Sequence, residues 1–419
     1  MQAGGRTMAD TEIAVIGAGV VGHSVALRLA QAGREVVMIA PRELGDGASY
    51  GNAGVIADYA VLPVGTPDVL RALPSLLFDR SSPLAIRRAA LPTLAPWLMR
   101  FLREALPGPS RRNAQAIAAL LADSAAEWHE MAAEIGAAGL MRGNGALYLY
   151  ETPEALEAAR GELAWRQSMG VRVELLGAAE IARMEPALGP GVAAGAAFFP
   201  DTLSVADPGA VLGRLAATVE RLGVRRITDR AEAIRRRGGG VEIEGASFVL
   251  RARRAVIAAG AHSRPLALAA GDRVPLDTER GYHLEFDMEE PPLGRPTSPV
   301  SRGFYFCPMA GRLRVAGTVE LGGLDAAPSP HRLARLEEGA RAILPGLPAP
   351  DRSWMGFRPS VPDSVPVIGP SRAGPEIVMA FGHGHLGLTL APMTARMVAA
   401  LIEGREPPVP VAPYLPGRF

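Results

Sequence analysis

The sequence predicts an α/β protein, with a Rossmann-like nucleotide-binding domain built from discontinuous segments and an α+β domain containing an antiparallel sheet. Three observations predict this fold. A glycine-rich turn at 17–22 lies between an apolar strand (11–16) and a helical run (23–32). Residues 35–40 then give a second buried strand, parallel to the first. A similar strand, turn and helix return at 377–402, whereas the intervening pieces alternate like antiparallel strands.

Length and composition support this organisation and exclude several functional classes. A chain of 419 residues favours two domains. We expect a nucleotide-binding domain over 9–62, 205–272 and 355–419, and a substrate domain over 63–204 and 273–354. The net charge of +1 gives no electrostatic case for binding nucleic acid. All 44 basic residues are arginine, which excludes a lysine Schiff base and a Walker phosphate loop.

The single cysteine and the N-terminal region indicate the compartment. Cys307 has no partner for an intramolecular disulfide, so we expect it to be a small core residue. The first ten residues lack the apolar core of a signal peptide. No stretch reaches the roughly 18 apolar residues of a membrane span. These features favour a cytoplasmic protein, and they leave the oligomeric state open.

The remaining elements follow from periodicity and turn residues. Helical periodicity is predicted over three stretches: 82–135, 208–222 and 331–343. Antiparallel alternation around a turn at 238–240 predicts three short strands: 224–227, 241–244 and 248–251. Other strand patterns are predicted at 145–150, 194–199, 255–259, 283–287, 303–308 and 313–318. The last helix is predicted to begin at Leu386.

The motif Gly17-x-Gly19-x-x-Gly22 predicts a diphosphate site. Gly17 permits the tight turn, Gly19 lets a pyrophosphate approach the backbone, and Gly22 allows close strand–helix packing. The first helical N–H groups, at Val20 and Val21, would point at the phosphates. A glycine-rich turn without a ligand is the structural alternative, and the motif alone fits NAD as well.

One element of this motif departs from the usual pattern. The acidic residue expected roughly 20 residues further on falls at Ala40. Glu43 lies close enough to reach a ribose, and backbone groups of Ala40 and Pro41, or the side chain of Arg42, are alternative contacts. A solvated loop carboxylate is the structural alternative for Glu43.

Three further turns combine small residues with strand ends. In Ser49-Tyr-Gly-Asn-Ala-Gly54, small residues would let the backbone run close to a flat ring system, and the Asn52 amide can donate and accept. Ala258-Ala-Gly260 follows a buried strand in the same way. The turn at 382–389 has three glycines, and its helix N-terminus would stabilise negative charge on a ring placed there. Its two histidines have no third metal ligand nearby, so we expect no metal site.

These stretches resemble one family, the FAD-dependent D-amino-acid dehydrogenases, within the wider group of amine- and amino-acid-oxidising flavoenzymes. The resemblance rests on four stretches in the family's order: 45–54, Glu279-Arg-Gly-Tyr-His283, Gly356-Phe-Arg-Pro359 continuing to 362–369, and 382–389. It spans almost the whole chain and is specific for the family more than for the substrate. In the family the position of Ala40 is usually acidic, and this chain departs from that pattern.

The resemblance implies FAD as the cofactor and assigns contacts to it. Besides the residues of the first glycine turn, the contacts that it implies are Ser49, Asn52, Ala53, Gly54, Ala231, Ala259, Gly260, Gly384, His385, Leu386, Gly387, Leu388 and Thr389. Ala231 would contact the adenine through its backbone. At 384–389 the backbone would contact the flavin, and the imidazoles would frame the pocket.

The resemblance also implies the substrate site. Arg358 matches the arginine that holds the substrate carboxylate, and a guanidinium can bind a carboxylate bidentately. Tyr282 matches a tyrosine that could pair with the carboxylate, with Tyr50 and His385 as further pocket residues. The structural alternatives are a surface arginine and half-buried core tyrosines. His283 and Arg302 are additional candidates with no assigned place.

The reaction implied is oxidative deamination of a D-amino acid. A hydride passes from Cα to flavin N5, and water hydrolyses the imino acid to a 2-oxo acid and ammonia. Sarcosine oxidases use a lysine near the flavin to activate oxygen, and its absence here favours electron transfer to a quinone or another carrier. The alternatives are a secondary amine substrate, such as cis-4-hydroxy-D-proline or sarcosine, and a non-catalytic flavin-binding electron-transfer subunit. The basic, apolar segment 90–106 predicts either a peripheral membrane contact on the inner face of the cell membrane or a core-packing helix pair.

Overall fold

The computed structural model of the protein describes residues 7–41, 47–78 and 84–419. Its strands are, in chain order, β1 (Thr7–Ile16), β2 (Val36–Ile39), β3 (Val55–Ile56), β4 (Leu84–Ile86), β5 (Met141–Arg142), β6 (Ala146–Tyr150), β7 (Glu174–Gly177), β8 (Gly195–Phe199), β9 (Leu203–Val205), β10 (Arg225–Ile227), β11 (Ala233–Arg237), β12 (Gly240–Glu244), β13 (Phe248–Ile257), β14 (Asp277–Asp287), β15 (Thr297–Pro299), β16 (Phe304–Met309), β17 (Arg312–Leu321), β18 (Arg352–Ser360), β19 (Val367–Ser371) and β20 (Gly374–Phe381). Its α-helices are α1 (Val20–Gln31), α2 (Pro67–Phe78), α3 (Leu91–Glu104), α4 (Pro107–Leu121), α5 (Ser124–Glu134), α6 (Pro153–Ser168), α7 (Ala178–Met184), α8 (Pro208–Arg221), α9 (Ser263–Ala269), α10 (Pro330–Ile343) and α11 (Ala391–Glu403).

The first sheet is the parallel, nucleotide-binding type that the sequence predicts. Its strands run in the order β10-β2-β1-β13-β12-β11, and β20 also pairs with β13 and with β19. The pairs β10–β2, β2–β1, β1–β13 and β13–β20 are all parallel. The carboxyl ends of parallel strands meet at one edge of a sheet, where ligands of open α/β sheets bind. The turns after β1, β13 and β20 therefore meet at this edge.

Two predictions about this sheet are wrong. The strand predicted at 224–227 belongs to no antiparallel group, because β10 pairs in parallel with β2 after the crossover helix α8. The strands predicted separately at 248–251 and 255–259 are one strand, β13, which pairs with β12 at one end and β20 at the other. Short alternating runs carry no information on the direction of their neighbours, so the pattern could not distinguish these arrangements.

The second sheet is mixed and mostly antiparallel. Its strands run in the order β18-β14-β17-β16-β15-β6-β8-β7, and β4 pairs with β17. Because side chains alternate along a strand, Glu279, Gly281 and His283 of β14 share one face and Arg280 and Tyr282 share the other. The latter face packs on an apolar cluster that includes residues of α10. Strands β3, β9 and β5 form a third, small sheet.

The predicted domain limits remain a prediction. The first sheet takes its strands from 7–39, 225–257 and 367–381, and the second takes all of its strands from 84–360. The predicted helical stretch 82–135 contains three helices, α3 to α5, but its beginning is the strand β4. None of the helices in the described part of the chain is both long enough and apolar enough to cross a membrane.

Candidate active site

The glycine turn between β1 and α1 has a geometry that only glycine permits at two of its positions. Gly17 has φ +119°, and a Cβ there would lie 2.2 Å from the Ala258 carbonyl oxygen. A Cβ at Gly22 would lie 2.0 Å from the Gly17 carbonyl oxygen. The backbone N–H of Val20, at the helix N-terminus, donates to Ser49 Oγ at 2.9 Å. The turn, the helix dipole and the loop at 49–54 therefore converge on one point.

The predicted adenosine-side contacts are less well defined. Ala40 is buried directly after β2, and Pro41 is exposed. Ala231 is half-buried in the segment before β11 and packs against the core of the first sheet. Arg42 and Glu43 lie outside the described residues, so the alternatives for the missing acidic residue remain untested.

The loop at 49–54 is fastened to the second sheet by a buried arginine. Arg314 of β17 is fully buried and donates from Nη1 to the carbonyl oxygens of Tyr50 and Asn52. Its Nη2 pairs with Glu285 at 2.6 Å. Burial raises the pKa of Glu285, but Arg314, Arg352 and Arg312 outweigh it and bring the pKa to about 2. The Glu285 carboxylate therefore stays charged, and Arg314 fixes the course of the loop.

Within this loop the side chains have local partners. Asn52 Oδ1 accepts a hydrogen bond from the Gly54 N–H at 2.7 Å, which supports the positive φ of Gly54. The ring of Tyr50 is partly exposed and lies against Gly209 at the start of α8. Tyr50 therefore lines the loop's outer side in this structure.

The turn at 382–389 differs in detail from its prediction. A short 3₁₀ turn covers Gly384–Leu386, and α11 begins at Ala391 instead of Leu386. Thr389 Oγ1 accepts a hydrogen bond from the Ala57 N–H at 3.0 Å, and Trp128 Nε1 donates to the Leu388 carbonyl oxygen at 3.0 Å. The first bond connects this turn to the segment that follows the 49–54 loop, and the second connects it to α5.

Arg358 lies inside the protein without an ion-pair partner among the described residues. It stands on β18 directly opposite Glu279 of β14, and its Nη1 donates to the Thr318 carbonyl oxygen at 2.9 Å. No described carboxylate lies within 4.0 Å of its guanidinium. Desolvation lowers the pKa of Arg358, and the charge of Glu279 partly offsets this. Burial correspondingly raises the pKa of Glu279, against the effect of Arg358.

His385 lies near enough to Arg358 for the charge of that residue to act on it. Its side chain keeps accessible surface, yet desolvation, together with the charges of Arg358 and Arg166, lowers its pKa to about 4. A group that keeps accessible surface while protein surrounds it lines a cavity. The adjoining narrow cavity is lined by Glu279 and Ser360 on one side and by the turn at 382–386 on another.

The structure does not bring Tyr282 to this cavity. Tyr282 is on the opposite face of β14 from Glu279, where its hydroxyl donates to Glu320 and accepts from the Ser329 N–H at 3.1 Å. Its 1% exposure is that of a core residue, which is the structural alternative considered for it. Of the other candidates, Arg302 pairs with Glu151 at 2.7 Å, away from Arg358.

Four residues at the site were not predicted as functional. Arg314, Thr318, Gly281 and Trp354 act on the loop or on Arg358 through contacts between distant strands. The Trp354 ring stacks on His283, with centroids 5.0 Å apart, and it occupies the space above Gly51. Glycines in the middle of strands β14 and β18 were the signal that could have found this arrangement, because such glycines often mark a close approach.

Cys307, by contrast, is a buried core residue as predicted, and burial raises its pKa to about 12.

Comparison with known proteins places this geometry in a family. The DAO model, described as FAD dependent oxidoreductase, matches residues 12–401. A D-amino-acid oxidase of Bradyrhizobium diazoefficiens is 35% identical, over 97% of this chain and 98% of its own. A D-amino acid dehydrogenase 2 of Ralstonia nicotianae is 32% identical, over 96% and 99% respectively.

Solved structures support the fold. A glycine oxidase from Geobacillus kaustophilus superposes with a TM-score of 0.76 at 23% identity, covering 98% of this chain and 99% of that one. An L-proline dehydrogenase from P. horikoshii superposes with a TM-score of 0.75 at 20% identity, covering 99% and 98%. The Rossmann-like first sheet and the mostly antiparallel second sheet, with FAD as the cofactor, are therefore confirmed, and this chain belongs to the family of FAD-dependent oxidoreductases.

Proposed function

We propose that this enzyme oxidises D-amino acids to 2-oxo acids and ammonia, with Arg358 binding the substrate carboxylate. The names of the curated relatives, at 32–35% identity over nearly the full chain, support this substrate class. The single observation that carries the proposal for the site is the state of Arg358. It is a half-buried, desolvated guanidinium with one carbonyl partner and no carboxylate of the described residues within 4.0 Å. Burying such a charge is costly unless an anion compensates for it.

The proposed FAD contacts come from the three turns and the loop that converge near the first sheet. The glycine turn with Val20 and Val21 would hold the diphosphate, and Ala40, Pro41, Arg42 and Ala231 remain proposed contacts on the adenosine side. The residues proposed to lie along the flavin are Ser49, Asn52, Ala53, Gly54, Ala259, Gly260 and 384–389. At Gly17, Gly22 and Gly54 a Cβ would collide with protein atoms, so glycine lets the turn and the loop pack closely on their neighbours. At Gly260, apart from its chain neighbours, no described atom lies within 4 Å of a Cβ built there, and this open space fits a ligand that approaches the backbone. When bound, FAD supplies the acceptor for the hydride of the substrate Cα.

The residues of the chain bind and orient the substrate in this scheme. Arg358 fixes the carboxylate, and thereby the direction of the Cα–H bond. His385 is neutral near pH 7, because burial and the charges of Arg358 and Arg166 hold its pKa down to about 4. A neutral His385 does not repel the substrate ammonium, and its ring nitrogen can accept a hydrogen bond from it. The amine must lose its proton before hydride transfer, and water then hydrolyses the released imino acid.

Replacing Arg358 tests the proposal. Arg358→Ala should raise KM for D-amino acids by roughly a hundredfold, because a charge-assisted bidentate contact is lost. The visible spectrum of bound FAD should stay unchanged, since Arg358 is not among the proposed FAD contacts. The measurement is steady-state kinetics with a dye acceptor, together with anaerobic bleaching of the flavin by a panel of D-, L- and N-methyl amino acids.

Arg160→Ala is a matched control, because it removes an exposed arginine of α6 that pairs only with Glu157 among the described residues. Unchanged kinetics in Arg358→Ala would refute the carboxylate site. A flavin that no D-amino acid bleaches would refute the substrate class and favour an electron-transfer subunit or a secondary amine substrate.

We propose further that electrons leave through a quinone or another carrier and not mainly through oxygen. The chain contains no lysine that could activate oxygen beside the flavin, and its curated relatives include proteins named as oxidase and as dehydrogenase. The reduced enzyme should be reoxidised by a soluble quinone at least tenfold faster than by air-saturated buffer. Stopped-flow absorbance of the flavin measures both rates, and an equal or faster rate with oxygen would contradict the proposal.

A further inference from the structure

We propose that Gly281 is a positioning residue for Arg358: its missing side chain leaves a recess in β14 in which the guanidinium lies flat against the sheet. This inference rests on the proposed function of Arg358 as the carboxylate site. It concerns the direction in which the guanidinium points, which the fold of β18 alone does not determine because an arginine side chain has several rotatable bonds.

The recess is defined by the register of the two strands. Gly281 pairs with Gly356, and Glu279 pairs with Arg358, so that all four residues share one face of the sheet. The Arg358 side chain leans diagonally from its own position towards the space above Gly281. A Cβ on Gly281 would lie 2.5 Å from both Cζ and Nη2 of Arg358, and 3.0 Å from Nη1. No real Cβ makes contacts of this length, so any side chain at 281 moves the guanidinium.

Thr318 closes the recess from the neighbouring strand. It lies at the point of β17 where the register with β14 shifts, and its φ of +59° is rare for a β-branched residue. Its carbonyl oxygen accepts the hydrogen bond from Arg358 Nη1 at 2.9 Å. The guanidinium therefore has contacts on two sides, the backbone of Gly281 and the Thr318 carbonyl, and these contacts fix its direction.

Gly356 forms a second recess of the same kind, occupied by a different side chain. A Cβ there would lie 2.0 Å from the Trp354 ring, which also covers Gly51 of the loop at 49–54. The pair of facing glycines thus makes a trough across β14 and β18. The half over Gly281 holds the guanidinium of Arg358, which we propose binds the substrate. The half over Gly356 holds the Trp354 ring, which packs on the proposed cofactor loop.

The test is a double-mutant cycle on the FAD-loaded enzyme. Gly281→Ala alone should raise KM for a good D-amino acid, and the Kd for propionate, by roughly tenfold to a hundredfold, because an error of about 1 Å in orientation has effects of this size. Propionate serves as a simple carboxylate probe, and its binding is followed by the change in flavin absorbance. In an Arg358→Ala background the same Gly281→Ala substitution should change KM by less than about twofold, since its only effect is through the guanidinium.

Gly195→Ala provides a steric control. A Cβ on Gly195 of β8 would lie 2.7 Å from Leu156 Cδ2, which is also the end of a flexible side chain. It should lower the melting temperature without changing the Kd for propionate. FAD content and melting temperature are measured for every variant, so that a general loss of folding is recognised.

The outcomes separate this inference from the proposed function. If Arg358→Ala raises KM but Gly281→Ala leaves both KM and propionate binding unchanged, Gly281 is not a positioning residue while the proposed function stands. If Arg358→Ala itself has no effect, the proposed carboxylate site is refuted, and the role of Gly281 that rests on it is refuted as well. If Gly281→Ala raises KM equally with and without Arg358, glycine at 281 has a structural role only, and the inference is overturned.

Discussion

At the scale of single residues, Arg358 and Arg314 show how differently two interior arginines are used. Arg314 is fully buried with Glu285 at 2.6 Å and two backbone carbonyls as acceptors. Arg358 has the Thr318 carbonyl and, at longer range, Glu279. A compensated guanidinium holds the structure together, whereas one that still lacks a counter-ion can bind a substrate anion. The sequence shows 44 arginines, and only contacts between distant strands distinguish these two.

Three buried histidines and the more accessible His385 give the protein a predictable response to acid. Burial is the largest cause that lowers the pKa of His23, His383 and His385 to about 4 and that of His283 to about 3, with Arg314 adding to the last. In the unfolded chain a histidine has a pKa of 6.5. Between these values the unfolded state binds more protons than the native state. The free energy of unfolding should therefore fall as the pH drops from about 6.5 towards 4.

His383 allows this prediction to be tested at one residue. It is 4% exposed, and its Nε2 is 2.9 Å from Thr394 Oγ1. Its share of the lost free energy of unfolding should reach about 3 kcal/mol near pH 4. His383→Gln keeps a hydrogen-bonding group but removes the titration, so its melting temperature should vary less with pH than that of the original protein. Calorimetry between pH 7.5 and pH 5, with FAD in excess, measures the difference, and parallel curves would contradict the assignment.

At the scale of elements, the sequence predicted the turns better than the directions of side chains around them. The positions of the glycine turn, the 49–54 loop and the 382–389 turn follow from local residues whose conformations are restricted. The start of α11 was placed five residues too early, because a 3₁₀ turn and a helix have similar local patterns. Tyr282 and Gly281 are neighbours in one motif, yet strand alternation sends them to opposite faces. A motif match cannot provide that information.

Helix α3 carries the proposed membrane contact. Leu94 and Trp97 pack against Leu321, which agrees with the core-packing alternative for one face of the helix. The other face is exposed and combines Met99, at 69% exposure, with Arg100 and Arg103. An apolar residue flanked by arginines suits a surface of anionic lipid. This arrangement would bring the enzyme to the membrane quinone pool that its proposed acceptor requires.

Substituting Met99 tests this contact. Met99→Asp should reduce co-sedimentation with vesicles of phosphatidylglycerol by roughly fivefold or more. The reason is that a negative charge replaces an apolar side chain that would insert into the anionic lipid surface. Leu268→Asp is the matched control, since Leu268 is 56% exposed on α9. Equal binding by both variants, or no binding by the original protein, would exclude α3 as a membrane contact.

At the scale of the whole molecule, the sequence predicted the two types of sheet, and the comparisons confirm the fold. The order of strands within each sheet could not be predicted, because β-strand pairing depends on contacts between residues far apart in the chain. The first sheet brings together strands from 7–39, 225–257 and 367–381. The proposed site depends on that order, because the turn that follows β20 of the first sheet lies beside Glu279 and Ser360 of the second.

The position of β20 in the first sheet has a consequence for the synthesis of the chain. β20 pairs with the middle strand β13, and α11 packs on α1, although these partners are separated by more than a hundred residues. A ribosome-bound chain that ends before Gly374 lacks both elements, and residues 255–257 of β13 then have no partner on the edge that β20 occupies. Its glycine turn is already complete, but the turn at 382–389 has not yet been made. We therefore expect the nascent protein to bind its flavin only after β20, the turn at 382–389 and α11 have left the ribosome and packed on β13 and α1.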